Sequence, residues 1–335
     1  MARLVLSRAV ARDSREWQQW CARADAAGRG GVAVADTAGA DCFVDAALAA
    51  AVTERIPVRV LIALPVRSPL QTATAAASLL TVTGRGRFTL GLGPGSEPVI
   101  EEGHGGVFAP PLARLRDYAA AVAALLRSPA GEPVRYVGRF FRAAGVGYGL
   151  SPRDLPIVLA ASGPQMVRLA CAHGDGLALH LLTARSVLQQ RAALARSLRP
   201  EEFPISAGML TSVHDDLDEA MRRARLELTA GLAIPRFLPR LAELSGQQLA
   251  AEFSRAVREG RYRDAAQLLD DSIVRQFVIV CRPRDLAAAV ESFDFVDTLS
   301  PVPVGQFALA VPALGFAPEE WRESQARVAA AVVGS

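Results

Sequence analysis

Residues 86–98 read GRFTLGLGPGSEP. The first half is a short apolar run of strand character, and the second breaks into glycine and proline. A hairpin turn would explain the break, but it would need a returning strand, whereas the segment LARLRDYAAAVAALLR that follows has helical period. Strand, glycine-rich loop and then helix is the order in which α/β folds build their binding loops. The same alternation continues in both directions. Upstream lie RLVLSRA, GVAVADT and VRVLIALPV, each followed by an Ala-rich helical segment; the first of these, residues 13–28, has Asp13 or Ser14 as N-cap and Gly28 as stop. Downstream, after a polar, glycine-rich excursion over residues 131–154, come PIVLAA, GLALHLL and FPISAGMLTS. A helical insert spans about residues 215–272, longer than an ordinary connection. RQFVIVCRPRDLAAAVESF then reads as a small βα element, VGQFALAVPALG as the eighth strand and PEEWRESQARVAAAVV as the closing helix. Eight strand–helix units over 335 residues predict a single (β/α)8 TIM barrel with a helical insertion after strand 7, its site at the C-terminal strand ends.

Composition narrows the function classes. A net charge of +3 with scattered basic residues does not suggest a nucleic-acid protein. All 37 basic residues are arginine, so no lysine Schiff base or lysine general base exists, and any anion must be held by Arg, backbone N–H or a helix N-terminus. Cys21, Cys42, Cys171 and Cys281 form no C-x-x-C pair, which indicates neither a zinc site nor a disulfide framework. No run of about 18 apolar residues and no signal-peptide pattern occurs, so a soluble, cytoplasmic protein is expected.

Three phrases carry a family likeness. RSPLQTATAAASLLTVTGRGRFTLGLGPG, ARLRDYAAAVAALL and LPIVLAASGPQMVRLACAHGDGLAL, in that order and spacing, resemble the luciferase-like flavin and deazaflavin monooxygenases and reductases. LGLGPG and GPQM resemble the F420-using branch more than the FMN monooxygenases, and the Ala- and Arg-rich composition fits high-GC actinobacteria, where F420 is common. The resemblance implies a TIM barrel binding F420, or alternatively FMN, and working as a homodimer on a small organic substrate. A flavin or F420 reductase would supply reduced cofactor, and an imine or enone of secondary metabolism is one substrate class among several.

Site residues follow from the residues and the resemblance together. Asp36 matches the acid of the family's Asp-His pair beside the ring; an N-cap of the next helix is the competing reading. The His of that pair is Thr37 here, which cannot carry proton chemistry near neutral pH. In ALPVRSP, Pro65 and Val66 correspond to a strained, often cis, peptide behind the flavin ring, with Pro65–Val66 or Leu64–Pro65 as the bond. Gly91, Gly93, Pro94 and Gly95 let the chain approach a flat ring without side-chain obstruction. Glu97 stands one residue beyond the place where some relatives carry a catalytic Glu, which makes it an acid candidate, with a solvated loop carboxylate as the competing reading. Ser162, Gly163, Pro164, Gln165 and Met166 open a helix whose N-terminus suits a phosphate. His180, at the end of the sixth strand, is the leading proton donor or acceptor. No metal site is expected.

Overall fold

The computed structural model describes residues 3–7, 11, 13–28, 30–36, 41–179, 182–292, 298–303 and 318–334. The first strand comes in two pieces, β1 (Arg3–Leu4) and β2 (Leu6–Ser7). Helix α1 (Ser14–Ala27) starts on the Asp13 side chain, which accepts from Glu16 N–H, and stops at Gly28 with φ +65°. Next are β3 (Val32–Val34), α2 (Cys42–Ala50), β4 (Val58–Ala63), α3 (Pro69–Thr83) and β5 (Phe88–Leu92). A capping box between Ser68 and Gln71 opens α3. After α4 (Pro111–Arg127), the excursion that reads as a loop in the sequence is an antiparallel hairpin, β6 (Pro133–Val137) and β7 (Arg142–Val146). Then follow β8 (Ile157–Ala161), α5 (Pro164–His173), β9 (Gly176–Leu179), α6 (Arg185–Leu198) and β10 (Ile205–Val213).

With β12 (Thr298–Pro303), the strands join in the order β1-β12-β10-β9-β8-β5-β4-β3-β2, all parallel. Because β1 and β2 are two pieces of one strand, one pairing with β12 and the other with β3, this order closes an eight-membered ring. The fold is a (β/α)8 barrel. Residues 304–315, expected as the eighth strand, lie outside the described residues; Thr298–Pro303 pairs with β10 and β1 at that place in the ring. Ring strands such as β3 and β9 are buried along their whole length, as strands covered by helices on one face and by the barrel interior on the other must be.

The insert consists of α7 (Leu217–Ala233), α8 (Leu238–Ser245), α9 (Gln247–Arg258), α10 (Tyr262–Gln267) and α11 (Asp271–Phe277). Its apolar faces, with Leu228, Phe253 and Phe277 fully buried, share one cluster with Leu182, Val187 and Leu210 of the barrel. The strand β11 (Val278–Cys281) pairs with the far end of β10, and α12 (Leu286–Glu291) and α13 (Pro318–Gly334) complete the described elements. Among the described residues no helix is long and apolar enough to cross a membrane.

Candidate active site at the barrel mouth

The register between β4 and β5 slips between Val60 and Ala63, and the Leu61–Ile62 peptide within this bulge is cis. The sequence expectation placed the cis bond at Pro65–Val66 or Leu64–Pro65. Both are trans; the proline draws attention, but the bulge that breaks the ladder sits three residues earlier. The bulge also explains two glycines of the opening stretch. A Cβ on Gly91 would stand 2.5 Å from the Val60 carbonyl oxygen, and one on Gly93 would overlap Ile62 Cδ1 at 2.0 Å and meet Ala160 Cβ at 3.0 Å. Gly93 thus makes room for a side chain of the protein itself. Gly95 has φ +71°, a conformation that favours glycine.

Asp36 follows β3 and is tied to that bulge. Its N–H donates to the Ile62 carbonyl at 2.9 Å, its Oδ2 accepts from Leu64 N–H at 2.9 Å, and its Oδ1 accepts from Cys42 N–H at 3.2 Å. The carboxylate therefore fixes the loop after β4 against the start of α2. The true N-cap of α2 is Asp41, which accepts from Phe43 and Val44 N–H. Arg67 reaches over this group, 2.6 Å from Asp41 and 3.8 Å from Asp36, with its guanidinium above the Phe43 ring. Burial is the largest single influence and works against both the Arg67 and Asp41 charges, but it is outweighed jointly by their mutual hydrogen bond and attraction, by Asp36 beside Arg67 and by the backbone N–H groups on Asp41: the arginine pKa rises and the Asp41 pKa falls. Burial, then Asp36, pushes the Cys42 thiol up, so it stays protonated. Asp36, Asp41 and Cys42 lie close enough to ligate a metal, but Arg67 already holds the cation position beside both acids.

On the neighbouring side, β8 ends in Ala161 and α5 begins. Ser162 does not cap it: Gly163 is the N-cap, and among the described residues no side chain caps the first turn. Among the described residues, no atom beyond its chain neighbours lies within 4 Å of where a Gly163 Cβ would be. Two arginines without any local sequence signal reach this place. Arg191 Nε of α6 and Arg240 Nη1 of α8 both donate to the Ser162 carbonyl, at 3.5 and 3.3 Å. Pro164 and Gln165 are exposed and Met166 is half-buried.

Other expected residues are placed as follows. Glu97 is exposed and precedes a π-helical turn over Pro98–Gly103. Pro65, Val66 and Pro94 are half-buried near the bulge. His180 and Thr37 lie outside the described residues.

The mouth thus has a bulged wall held by Asp36, with an open, positively framed helix start beside it. Comparisons with known proteins bear on the family and the fold. The chain is 29% identical over 228 residues to 5,10-methylenetetrahydromethanopterin reductase of Archaeoglobus fulgidus, covering 65% of this chain and 67% of that one. It is 29% identical over 286 residues to a Mycobacterium tuberculosis protein provisionally named a coenzyme F420-dependent oxidoreductase, covering 77% and 82%. The solved coenzyme F420-dependent tetrahydromethanopterin reductase of Methanopyrus kandleri superposes with a TM-score of 0.73 at 19% identity, over 98% of this chain and 97% of that one. Residues 5–298 match the luciferase-like monooxygenase family as a whole, and the chain belongs to that family.

Proposed function

We propose that this protein is an F420-dependent oxidoreductase that passes a hydride between the deazaflavin and a small organic substrate. One observation carries the reading: the uncapped start of α5, open at Gly163 and framed by Arg191 and Arg240, fits the phosphate of such a cofactor. The name of the Mycobacterium tuberculosis relative, which mentions coenzyme F420, supports F420 over FMN. When bound, F420 supplies the hydride acceptor or donor at its C5.

This chain's residues would do the rest. Backbone N–H groups of Gln165 and Met166, with Ser162, Gly163 and Pro164 shaping the turn, hold the phosphate. The bulge through Ile62, packed on Gly93 and followed by Pro65 and Val66, would back the ring, with Pro94 and Gly95 continuing the same wall. Asp36 serves as a positioning residue, since both its oxygens already accept backbone N–H groups. His180, next in sequence after β9, is the proposed proton donor, and Glu97 is a solvated carboxylate with no share in the chemistry. A homodimer in the cytoplasm, supplied with reduced cofactor by a separate reductase, belongs to the same proposal.

The family's description as monooxygenases favours one second reading, use of reduced FMN with oxygen. Isotope transfer separates the two. Reduced F420 deuterated at C5, incubated anaerobically with imines, enones and ketones, should hand its label to product. Turnover that requires FMN and oxygen would replace the proposal.

A further inference from the structure

Arg191 belongs to the barrel and Arg240 to the insert, yet they meet at one carbonyl oxygen. Glu243, three residues beyond Arg240 on α8, accepts from Arg191 Nη2 at 2.5 Å and lies 3.9 Å from Arg240 Nη1. Among the described residues it is the carboxylate paired with either arginine. The group therefore carries two positive charges against one negative. Both arginines are deeply placed, their side chains 13% and 18% exposed, whereas Glu243 is the more open partner at 34%. Burial, with Arg191 close by, weakens the hold of Arg240 on its proton despite Glu243. A sheltered surplus of guanidinium charge is costly without a second anion, and guanidinium forks match phosphate oxygens in pairs.

We infer that Arg191 and Arg240 bind a phosphate group of the ligand, and that Glu243 is a built-in counter-ion which gives up Arg191 when that phosphate arrives. This rests on the placing of a phosphate at α5 proposed above, and adds the side chains that grip it. It also gives the insert a function, because the ion pair that ties α8 to α6 through Glu243 and Arg191 would respond to occupancy. The competing description is a bridge that merely pins α8 to α6.

The two descriptions differ in the sign of one variant. Inorganic phosphate is titrated calorimetrically into the full-length protein and into Arg240→Gln, Arg191→Gln and Glu243→Gln, with Tm recorded for each in phosphate-free buffer. The expected result is about tenfold weaker phosphate binding in each arginine variant, and severalfold tighter binding in Glu243→Gln. A pinning bridge gives a lower Tm in Glu243→Gln with phosphate affinity unchanged or weaker, and that result overturns the inference. So does absence of phosphate binding by both the parent protein and Glu243→Gln. The variants are then titrated with F420. Tight F420 binding indifferent to all three substitutions removes this inference while leaving the proposed function standing. The expected phosphate pattern without binding of F420 or FMN does the reverse.

Discussion

The two charged groups flanking the barrel mouth are built with opposite imbalance. At the end of β3, two acids, Asp36 and Asp41, face one arginine, Arg67; beside α5, two arginines face one acid, Glu243. The acid surplus of the first group is absorbed by backbone donors, since Asp36 takes the N–H groups of Leu64 and Cys42, and Asp41 those of Phe43 and Val44. Among the described residues, the arginine surplus of the second has one shared carbonyl, Ser162, to meet it. A group that satisfies its own charge through the backbone holds a fold together, whereas one left with surplus charge is ready for a ligand.

Substitutions should therefore act on different observables. The largest effect is expected at Asp36. Asp36→Ala leaves two sheltered N–H donors without their acceptor and should lower the free energy of unfolding by about 2–4 kcal/mol, read by denaturant titration. Loss of cofactor binding with stability unchanged would place Asp36 in the ligand group instead. Arg240→Gln is expected to do the opposite: stability within about 1 kcal/mol of the parent, and F420 affinity reduced by about tenfold, or about 1.4 kcal/mol.

A third group sharpens the contrast. On α7, the hydrogen bond from Arg222, assisted by Arg223, holds the Glu219 carboxyl down to about 2 from its ordinary 4.5. Its folded pKa lies below its unfolded one, so its stabilisation is complete above about 4.5 and disappears as pH falls towards about 2. Glu219→Gln should flatten the acid limb of stability in that window while leaving cofactor affinity at neutral pH unchanged. The smallest effect is expected at Glu97, exposed at the loop start. Glu97→Gln should change stability by less than about 0.5 kcal/mol and leave the rate of hydride transfer intact; a large loss of rate would restore it as an acid.

What could be read from the chain was what local pattern encodes. Asp13 and Gly28 bracket α1 as expected because capping is a matter of a few consecutive residues. The alternation of apolar runs with Ala-rich helical segments gave the barrel, and the length of the segment after β10 gave the insert. The hairpin β6–β7 has no plain signal because its exposed residues alternate with half-buried ones and the buried Ala143, so it lacks the apolar run of a barrel strand. The cis bond at Leu61–Ile62 carries no marker residue, and Pro65 misleads. The glycines at 91 and 93 were legible as a requirement for space, but the atoms that fill the space, from Val60 and Ile62, belong to another strand. Arg191 and Arg240 are two of 37 arginines, about 50 residues apart and on different helices. Their convergence on Ser162 exists only once the fold brings α8 and α6 to the end of β8.

The central claim is that the mouth beside α5 holds F420. Its most direct test is titration of the purified protein with F420 and, separately, with FMN, each oxidised and reduced, following cofactor fluorescence. The account predicts F420 binding at micromolar concentration or tighter, with no comparable binding of FMN. Preference for reduced FMN, or binding of neither cofactor, would contradict it.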